Sequence, residues 1–270
     1  MGIVTKIQVQ KNNKSRFNIY MDNGSGEEYA FAVSEDTLIK FHLSKGKELD
    51  ELEIEEILYG DQIHKATLAA MNFLSYRMRT RKEIEDFLAE KEIESFVRAE
   101  VIKKLEEQLL INDEEFARAY VRTQMNTTLK GPEVISRELR EKGVSPTIIE
   151  EALVEFSFST QLEHVVKLIE KYSGKYRKDS YKIMLQKLDM TLKRKGYPTT
   201  VIQEAFKNVE IEQDTSEEWE SLQKAAEKYE RKYVKLPPYE YKMKMKGALY
   251  RKGFPMELID RYVEIGRAHV

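Results

Sequence analysis

Lys142-Gly143-Val144-Ser145-Pro146-Thr147-Ile148-Ile149 returns in close variants as Lys195-Gly196-Tyr197-Pro198-Thr199-Thr200-Val201-Ile202 and Lys252-Gly253-Phe254-Pro255-Met256-Glu257-Leu258-Ile259. Each string predicts one helix ending at a Lys-Gly pair and the next beginning at a proline. Glycine accepts the left-handed conformation past a helix end, and proline fits a first helical turn. The glycines stand 53 and 57 residues apart, which predicts one repeated helical unit with small loop insertions. A step of 51 residues back from Gly143 reaches Glu92 in Lys91-Glu92-Ile93, a copy that keeps the lysine and lacks the glycine. Four units over about residues 62 to 265 follow.

In the first unit Ala66, Leu68, Ala69, Phe73 and Leu74 recur at helical spacing and run into Arg77-Met78-Arg79-Thr80-Arg81-Lys82. Thr80 with Glu83 three residues on is a capping box. Ile84, Phe87 and Leu88 face inward on the next helix, and Val97, Val101, Ile102 and Leu105 on the third. The second unit repeats the scheme. Asn112 and Glu115 form its capping box, Gly131-Pro132 separates its first two helices, and Ile148, Ile149, Ala152, Leu153 and Phe156 make its last apolar stripe. A third unit runs from about Leu162 to Val209 and a fourth from about Trp219 to Val263, the latter broken at Pro237-Pro238; the acidic run 210–218 between them predicts a linker. Units this small bury too little surface to stand alone, so neighbours are expected to stack.

Residues 2–33 differ from the rest. Ile3 to Val9, Phe17 to Met21 and Tyr29 to Val33 read as strands, the last two joined by the turn Asp22-Asn23-Gly24-Ser25-Gly26. Three such strands need a helix to pack on. Ser34 caps a short helix through Phe41, and Asp50 an acidic one through about Leu58. Glu264 to Val270 resembles a processing scar and is read as a non-native tail. The expected fold is mainly α, with tandem three-helix repeats forming an elongated curved array behind a small N-terminal β-meander. Its divisions are 1–60 for the meander and short helices, then 61–110, 111–158, 159–211 and 212–263 for the four repeats, and 264–270 for the tail.

Charged residues make up 34 % and aromatics 10 % of 270, with 12 Gly and 6 Pro, as in a helix-rich globular protein. The absence of cysteine excludes disulfides, thiolate metal sites and a Cys nucleophile. A leader and any apolar run of about 18 residues are lacking, so a cytoplasmic protein without a membrane partner is expected. His42, His64 and His164 stand far apart and read as surface or boundary histidines, and the acidic pairs Glu55-Glu56, Glu114-Glu115 and Glu150-Glu151 lie on polar faces or in first turns. Gly24-Ser25-Gly26 precedes no helix that could cradle a phosphate. A protein without catalytic site or cofactor is expected.

The net charge of −2 hides segregation: residues 167–195 and 228–252 each carry an excess of +7, while 210–227 and 48–56 are acidic. Tyrosines interleave with the bases, at Tyr172, Tyr176 and Tyr181 in the third unit and at Tyr229, Tyr233, Tyr239 and Tyr241 in the fourth. Such surfaces neutralise phosphates and stack bases, or are solvated lysine faces over a tyrosine-rich core.

Four blocks together resemble the RecX family of bacterial recombination regulators. They are Leu74-Ser75-x-Arg77-x-Arg79-x-x-Lys82-Glu83-Ile84; Ile111-Asn112-Asp113-Glu114-Glu115-Phe116-Ala117-x-x-Tyr120-Val121; Lys130-Gly131-Pro132 with Ile135-x-Arg137-Glu138-Leu139; and Lys142-Gly143-Val144 with Ile149-Glu150-Glu151-Ala152-Leu153. The chain departs from the family pattern at Thr80, where serine is frequent, and at the glycine-less Lys91-Glu92. The resemblance implies a curved repeat protein, a monomer, that lies in the groove of the RecA–single-stranded DNA filament and restrains RecA's ATPase, strand exchange and assembly. Charge and motif position nominate Arg77, Arg79, Arg81 and Lys82 in repeat one, Arg118, Arg122, Lys130, Arg137 and Arg140 in repeat two, and Lys175, Arg177 and Lys178 in repeat three as contacts to RecA or DNA. The alternatives are an α-solenoid that binds single-stranded nucleic acid without RecA, and a scaffold for acidic proteins.

Overall fold

The computed structural model describes residues 1–209 and 215–265. It divides into two compact units, Met1–Ala117 with Arg140–Ile148, and Arg118–Leu139 with Ile149 onward.

The first unit opens with strands β1 (Gly2–Val9), β2 (Arg16–Asp22) and β3 (Glu27–Ser34), antiparallel in sequence. A fourth strand, β4 (Glu48–Leu49), pairs with the free side of β1 and gives the order β3-β2-β1-β4. A strand of two residues is too short for alternation to announce it, which is why the sequence suggests only three. Val4, Ile19, Met21, Phe31 and Val33 form the buried face, closed by Leu43, Leu49 and Ile57. Ser34 caps α1 (Glu35–Lys40) by accepting the Thr37 N–H.

Asp50 caps α2 with a full capping box to Glu53, and that helix continues through Glu51–Leu74 rather than stopping near Leu58. Gly60 lies in mid-helix because an added Cβ would stand 2.7 Å from the Phe41 ring. It marks close packing, not a break, and the expected division at residue 60 falls inside this helix. The next residue, buried Asp61, accepts from Ser34 N–H (2.7 Å), Thr37 Oγ1 (3.3 Å), Arg16 (3.1 Å) and Lys65 (3.0 Å). Burial pushes its carboxyl up, yet these donors outweigh burial and hold it below the usual range.

The far half of α2 packs with α3 (Arg81–Glu90) and α4 (Ser95–Glu107) around Ala66, Ala70, Ile84, Leu88, Val97, Val101, Ile102 and Leu105. Each large aliphatic there contributes roughly 1.5–3 kcal/mol. Between α3 and α4 the glycine-less copy keeps the corner: Glu92 adopts φ 59°, and Ile93 N–H reaches Leu88 O at 3.1 Å.

Helices α5 (Asp113–Thr127), α6 (Pro132–Glu141) and α7 (Pro146–Leu153) form the second three-helix stretch, through which the division between the two compact units passes. In the second compact unit α8 (Phe158–Tyr176), α9 (Tyr181–Arg194) and α10 (Thr199–Asn208) bury Val165, Leu168, Ile169, Leu188, Leu192, Tyr197, Val201 and Ile202. Helices α11 (Thr215–Tyr233), α12 (Pro238–Arg251) and α13 (Met256–Ile265) enclose Leu222, Ala226, Met245, Leu249, Phe254, Ile259 and Val263. Of the expected linker 210–218, residues 215–218 belong to α11 and the rest lie outside the described residues. Of the expected tail, Glu264 and Ile265 end α13, and 266–270 lie outside the described residues.

The repeated corners do more than turn the chain. Gly143, Gly196 and Gly253 have φ of 82°, 86° and 84°, so each fills the left-handed position the sequence predicts. Each also lies against the start of a middle helix one repeat earlier. The carbonyl of the preceding lysine accepts a bond from that start: Thr80 Oγ1 to Lys142 O, Gly131 N–H to Lys195 O and Ser180 Oγ to Lys252 O, all 2.7 Å. A Cβ on Gly143 would stand 2.5 Å from Lys82 Cβ, one on Gly196 2.6 Å from the Val134 nitrogen, and one on Gly253 2.7 Å from Ser180 Oγ. A Cβ on Gly131 would stand 2.3 Å from Gly196 O, so at this clasp both faces are glycine.

Candidate functional site

The first arginine block runs from the loop after α2, at Arg77 and Arg79, into the first turn of α3, at Arg81 and Lys82. Arg77 forks onto Glu83 with two bonds of 3.1 Å and donates to Met78 O at 2.9 Å. Glu83 also accepts Lys142 Nζ at 3.0 Å and the Thr80 N–H at 3.3 Å. Burial opposes the charge, but Arg77, Lys142 and Thr80 together bring this carboxyl down to about 2. Arg79 lies 3.9 Å over the Phe73 ring, which is stacked on Phe87, and its buried Nε has no hydrogen-bond partner among the described residues. Desolvation and the neighbouring Arg77 lower its pKa. Arg81 pairs with Glu106 at 2.7 Å while its N–H meets Asp113 at 2.9 Å, and Lys82 pairs with Asp86 at 2.8 Å.

In the second repeat Arg122 grips Glu155 with bonds of 2.5 and 2.7 Å, and Lys130 meets Glu138 at 2.7 Å beside the Tyr120 hydroxyl. Exposed Arg118 and Arg137 add to the fields on Glu155 and Glu138, so Arg118 and Arg122 of α5 gather about one carboxylate, and Arg137 of α6 with Lys130 of the preceding loop about the other. Arg140 is exposed. In the third repeat Lys175 stands 5.9 Å from the centres of the stacked Tyr172 and Tyr176 rings, Arg177 pairs with Glu217, and Lys178 is exposed. Arg77, Arg81, Lys82, Arg122, Lys130 and Arg177 are engaged in ion pairs. Arg118, Arg137, Lys175 and Lys178 make none within 4.0 Å among the described residues.

The sequence assigns Glu83 to the capping box with Thr80 but does not announce its ion pairs with Arg77 and Lys142, the latter 59 residues away. His164 corrects an expectation: it is buried, 7 % exposed, with its ring 5.5 Å from Phe156 and Nδ1 3.3 Å from the Tyr197 hydroxyl. Its place on the inward face of α8 explains the difference, and burial with the nearby Lys167 charge lowers its pKa. Lys167 itself, with Lys171 and Lys195, lines a groove that contains no carboxylate among the described residues. Among the described residues no cluster of three or more His, Asp or Glu is set to hold a metal, and no helix is long and apolar enough to cross a membrane.

Sequence models of the regulatory protein RecX match four stretches: its N-terminal domain at residues 2–50 and its first, second and third three-helix domains at 66–105, 112–153 and 216–263. Helices α8 to α10 lie between the last two. The regulatory proteins RecX of Bacillus cereus and Bacillus anthracis are each 46 % identical to this chain over 99 % of both sequences. A crystal structure of a regulatory protein RecX superposes with TM-score 0.67 at 39 % identity, covering 76 % of this chain and all 100 % of its own. That of RecX from Lactobacillus salivarius gives 0.55 at 40 %, covering 57 % and 99 %. End-to-end similarity, the β-sheet and the three-helix repeats agree, and the chain belongs to the RecX family of regulatory proteins.

Proposed function

We propose that this protein binds the RecA–single-stranded DNA filament and modulates it by binding alone, mainly restraining RecA's ATPase, strand exchange and filament assembly. The observation that carries the proposal is the match to regulatory proteins RecX over 99 % of the chain. The glycine-locked clasps favour it, because a partner can be read by several surfaces only if consecutive repeats hold fixed angles. The ion pairs refine the contact set. Arg118, Arg137, Lys175 and Lys178 present charge directly, whereas Arg77, Arg81, Lys82, Arg122, Lys130 and Arg177 must exchange a carboxylate for a phosphate or an acidic side chain. Arg79, held on Phe73, acts as a cationic edge. On this proposal the protein is a cytoplasmic monomer without cofactor.

The test is RecA-dependent ATP hydrolysis on single-stranded DNA with increasing protein. A graded fall in rate is expected, and a rate unchanged across a wide titration sinks the proposal. The alternative, a binder of single strands that ignores RecA, is favoured by the carboxylate-free groove of α8. It predicts affinity for bare DNA equal to or above that for the filament.

A further inference from the structure

The groove beside α8 has a volume of about 380 Å³ and lies wholly within the second compact unit, between the end of α5 and the corner at Lys195. Lys167 and Lys171 point into it from successive turns of one helix, and Lys195 closes it. Like charges at that spacing destabilise a helix. None of the three has a carboxylate within 4.0 Å among the described residues, and none of the lining side chains is acidic. In the same unit Lys130, Lys187 and Lys193 are paired at short range with Glu138, Asp179 and Asp189, and the unpaired Arg118, Arg137, Lys175 and Lys178 are not among the residues that line the groove. The concentration of unneutralised charge in one concave place is therefore local, and an anion would relieve it.

The surrounding groups narrow the class of anion. The Thr127 and Thr128 hydroxyls donate to the carbonyls of Thr123 and Gln124, at 2.6 and 2.8 Å, which leaves the three ammoniums and the Asn126 side chain to face a ligand. Lys195 is held in place by the clasp bond from Gly131 to its carbonyl. Tyr172 lines the groove and is stacked on Tyr176, with ring centres 6.2 Å apart and planes 18° from parallel, so an aromatic shelf adjoins the charge. Lysines along a groove follow a phosphate backbone, and an aromatic shelf accepts an unpaired base, which duplex and acidic peptide both lack. We propose that this groove binds the backbone of a single-stranded nucleic acid, with Lys167, Lys171 and Lys195 on its phosphates and a base stacked on Tyr172. The site deepens the RecA-filament proposal and rests on it for the identity of the strand.

The experiment is fluorescence anisotropy of a labelled oligothymidylate with the full chain over a series of salt concentrations. The double variant Lys167→Gln/Lys171→Gln should bind about tenfold more weakly. Its plot of log affinity against log salt should be shallower by about 1.4, since each phosphate neutralised on a single strand contributes about 0.7. Lys11→Gln/Lys14→Gln, which removes the same charge from the loop between β1 and β2, should bind as wild type does. Tyr172→Leu should lower affinity and leave the slope alone. Circular dichroism checks that each variant is folded, and Lys171→Gln alone serves if the double variant is not. Unaltered affinity and slope in the groove variants, or no binding by wild type, overturn the site. So does displacement of the oligonucleotide by polyglutamate at equal charge concentration, which would mark a surface for acidic proteins. The same variants in the RecA ATPase assay separate the two proposals. Groove-dependent binding with no effect on RecA removes the filament reading alone, and full RecA inhibition with groove variants that bind normally removes the groove alone.

Discussion

At Lys142-Gly143 and at Lys252-Gly253 a lysine carbonyl accepts a hydroxyl at 2.7 Å, from Thr80 in one clasp and from Ser180 in the other. In both, the next N–H of the middle helix meets a carboxylate from the first helix of the following repeat: Arg81 to Asp113 at 2.9 Å, Tyr181 to Glu218 at 3.3 Å. The chemistry three residues past the cap is where they part. The first clasp has Glu83 there, with Arg77 and Lys142 upon it; the second has Ile183, which lies against the Gly253 position. Glycine, capping hydroxyl and carbonyl are common to both clasps and set the angle between repeats, while the third position past the cap is a charged network at Glu83 in one and an apolar contact at Ile183 in the other.

The severest test of the shared part is Gly143→Val beside Gly253→Val. Each places a β-branched residue at φ above 80° and drives a Cβ into an atom less than 3 Å away. Left-handed strain of about 1–2 kcal/mol and overpacking of about 1–3 kcal/mol predict a loss near 3 kcal/mol in either variant. Urea denaturation followed by circular dichroism would show it, and a wild-type midpoint in one variant would mean that the two clasps are not equivalent. The difference between them is tested by Glu83→Gln, expected to cost about 2–3 kcal/mol at neutral pH. Because the carboxyl ionises at about 2 in the fold against its ordinary 4.5, its contribution is complete above about pH 4.5 and is lost as the pH falls towards 2. Wild-type stability should therefore decline over that window more steeply than that of Glu83→Gln. Ile183→Val should cost about 1 kcal/mol with no such pH dependence.

Next in size come the hydroxyls. Thr80→Val and Ser180→Ala each remove a helix cap, about 1 kcal/mol, and a bond to the lysine carbonyl, about 1 kcal/mol more. Nearly equal losses of about 2 kcal/mol would support a common joint. A much larger loss at Thr80 would show that the Glu83 network depends on the cap's geometry.

The corners were legible because glycine and proline act on their own backbone, and the same holds for the caps at Asp50, Thr80 and Asn112, whose partners lie three residues on. Partners remote in sequence were not legible. The helix from Asp50 reads as ending near Leu58, and its passage through Gly60 is explained only once the Phe41 ring is seen against that glycine; Gly131 reads as a spacer until Gly196 is seen within reach. The candidate contacts divide on the same line. Arg122 stands 33 residues from Glu155, and Arg177 stands 40 from Glu217, so nothing local tells that either base is engaged. His164 was misjudged as a boundary residue because one histidine on an apolar stripe gives no periodicity of its own.

The smallest expected effect bears on the corner that lost its glycine. Glu92 holds φ 59° with the same closing bonds that a glycine would permit, Glu92 N–H to Ala89 O at 2.9 Å and Ile93 N–H to Leu88 O at 3.1 Å. Placing a side chain there costs about 1–2 kcal/mol in the folded state. Glycine would relieve that strain but also widen the unfolded chain's freedom by an amount equivalent to about 0.5–1 kcal/mol. Glu92→Gly should therefore stabilise the protein by about 0.5 kcal/mol, seen as a slightly higher urea midpoint at unchanged slope. Glu92→Pro, which cannot take a positive φ, should instead destabilise it strongly. A loss of stability in Glu92→Gly would mean that the glutamate side chain supports this corner, and that the first repeat turns by a different device from the other three.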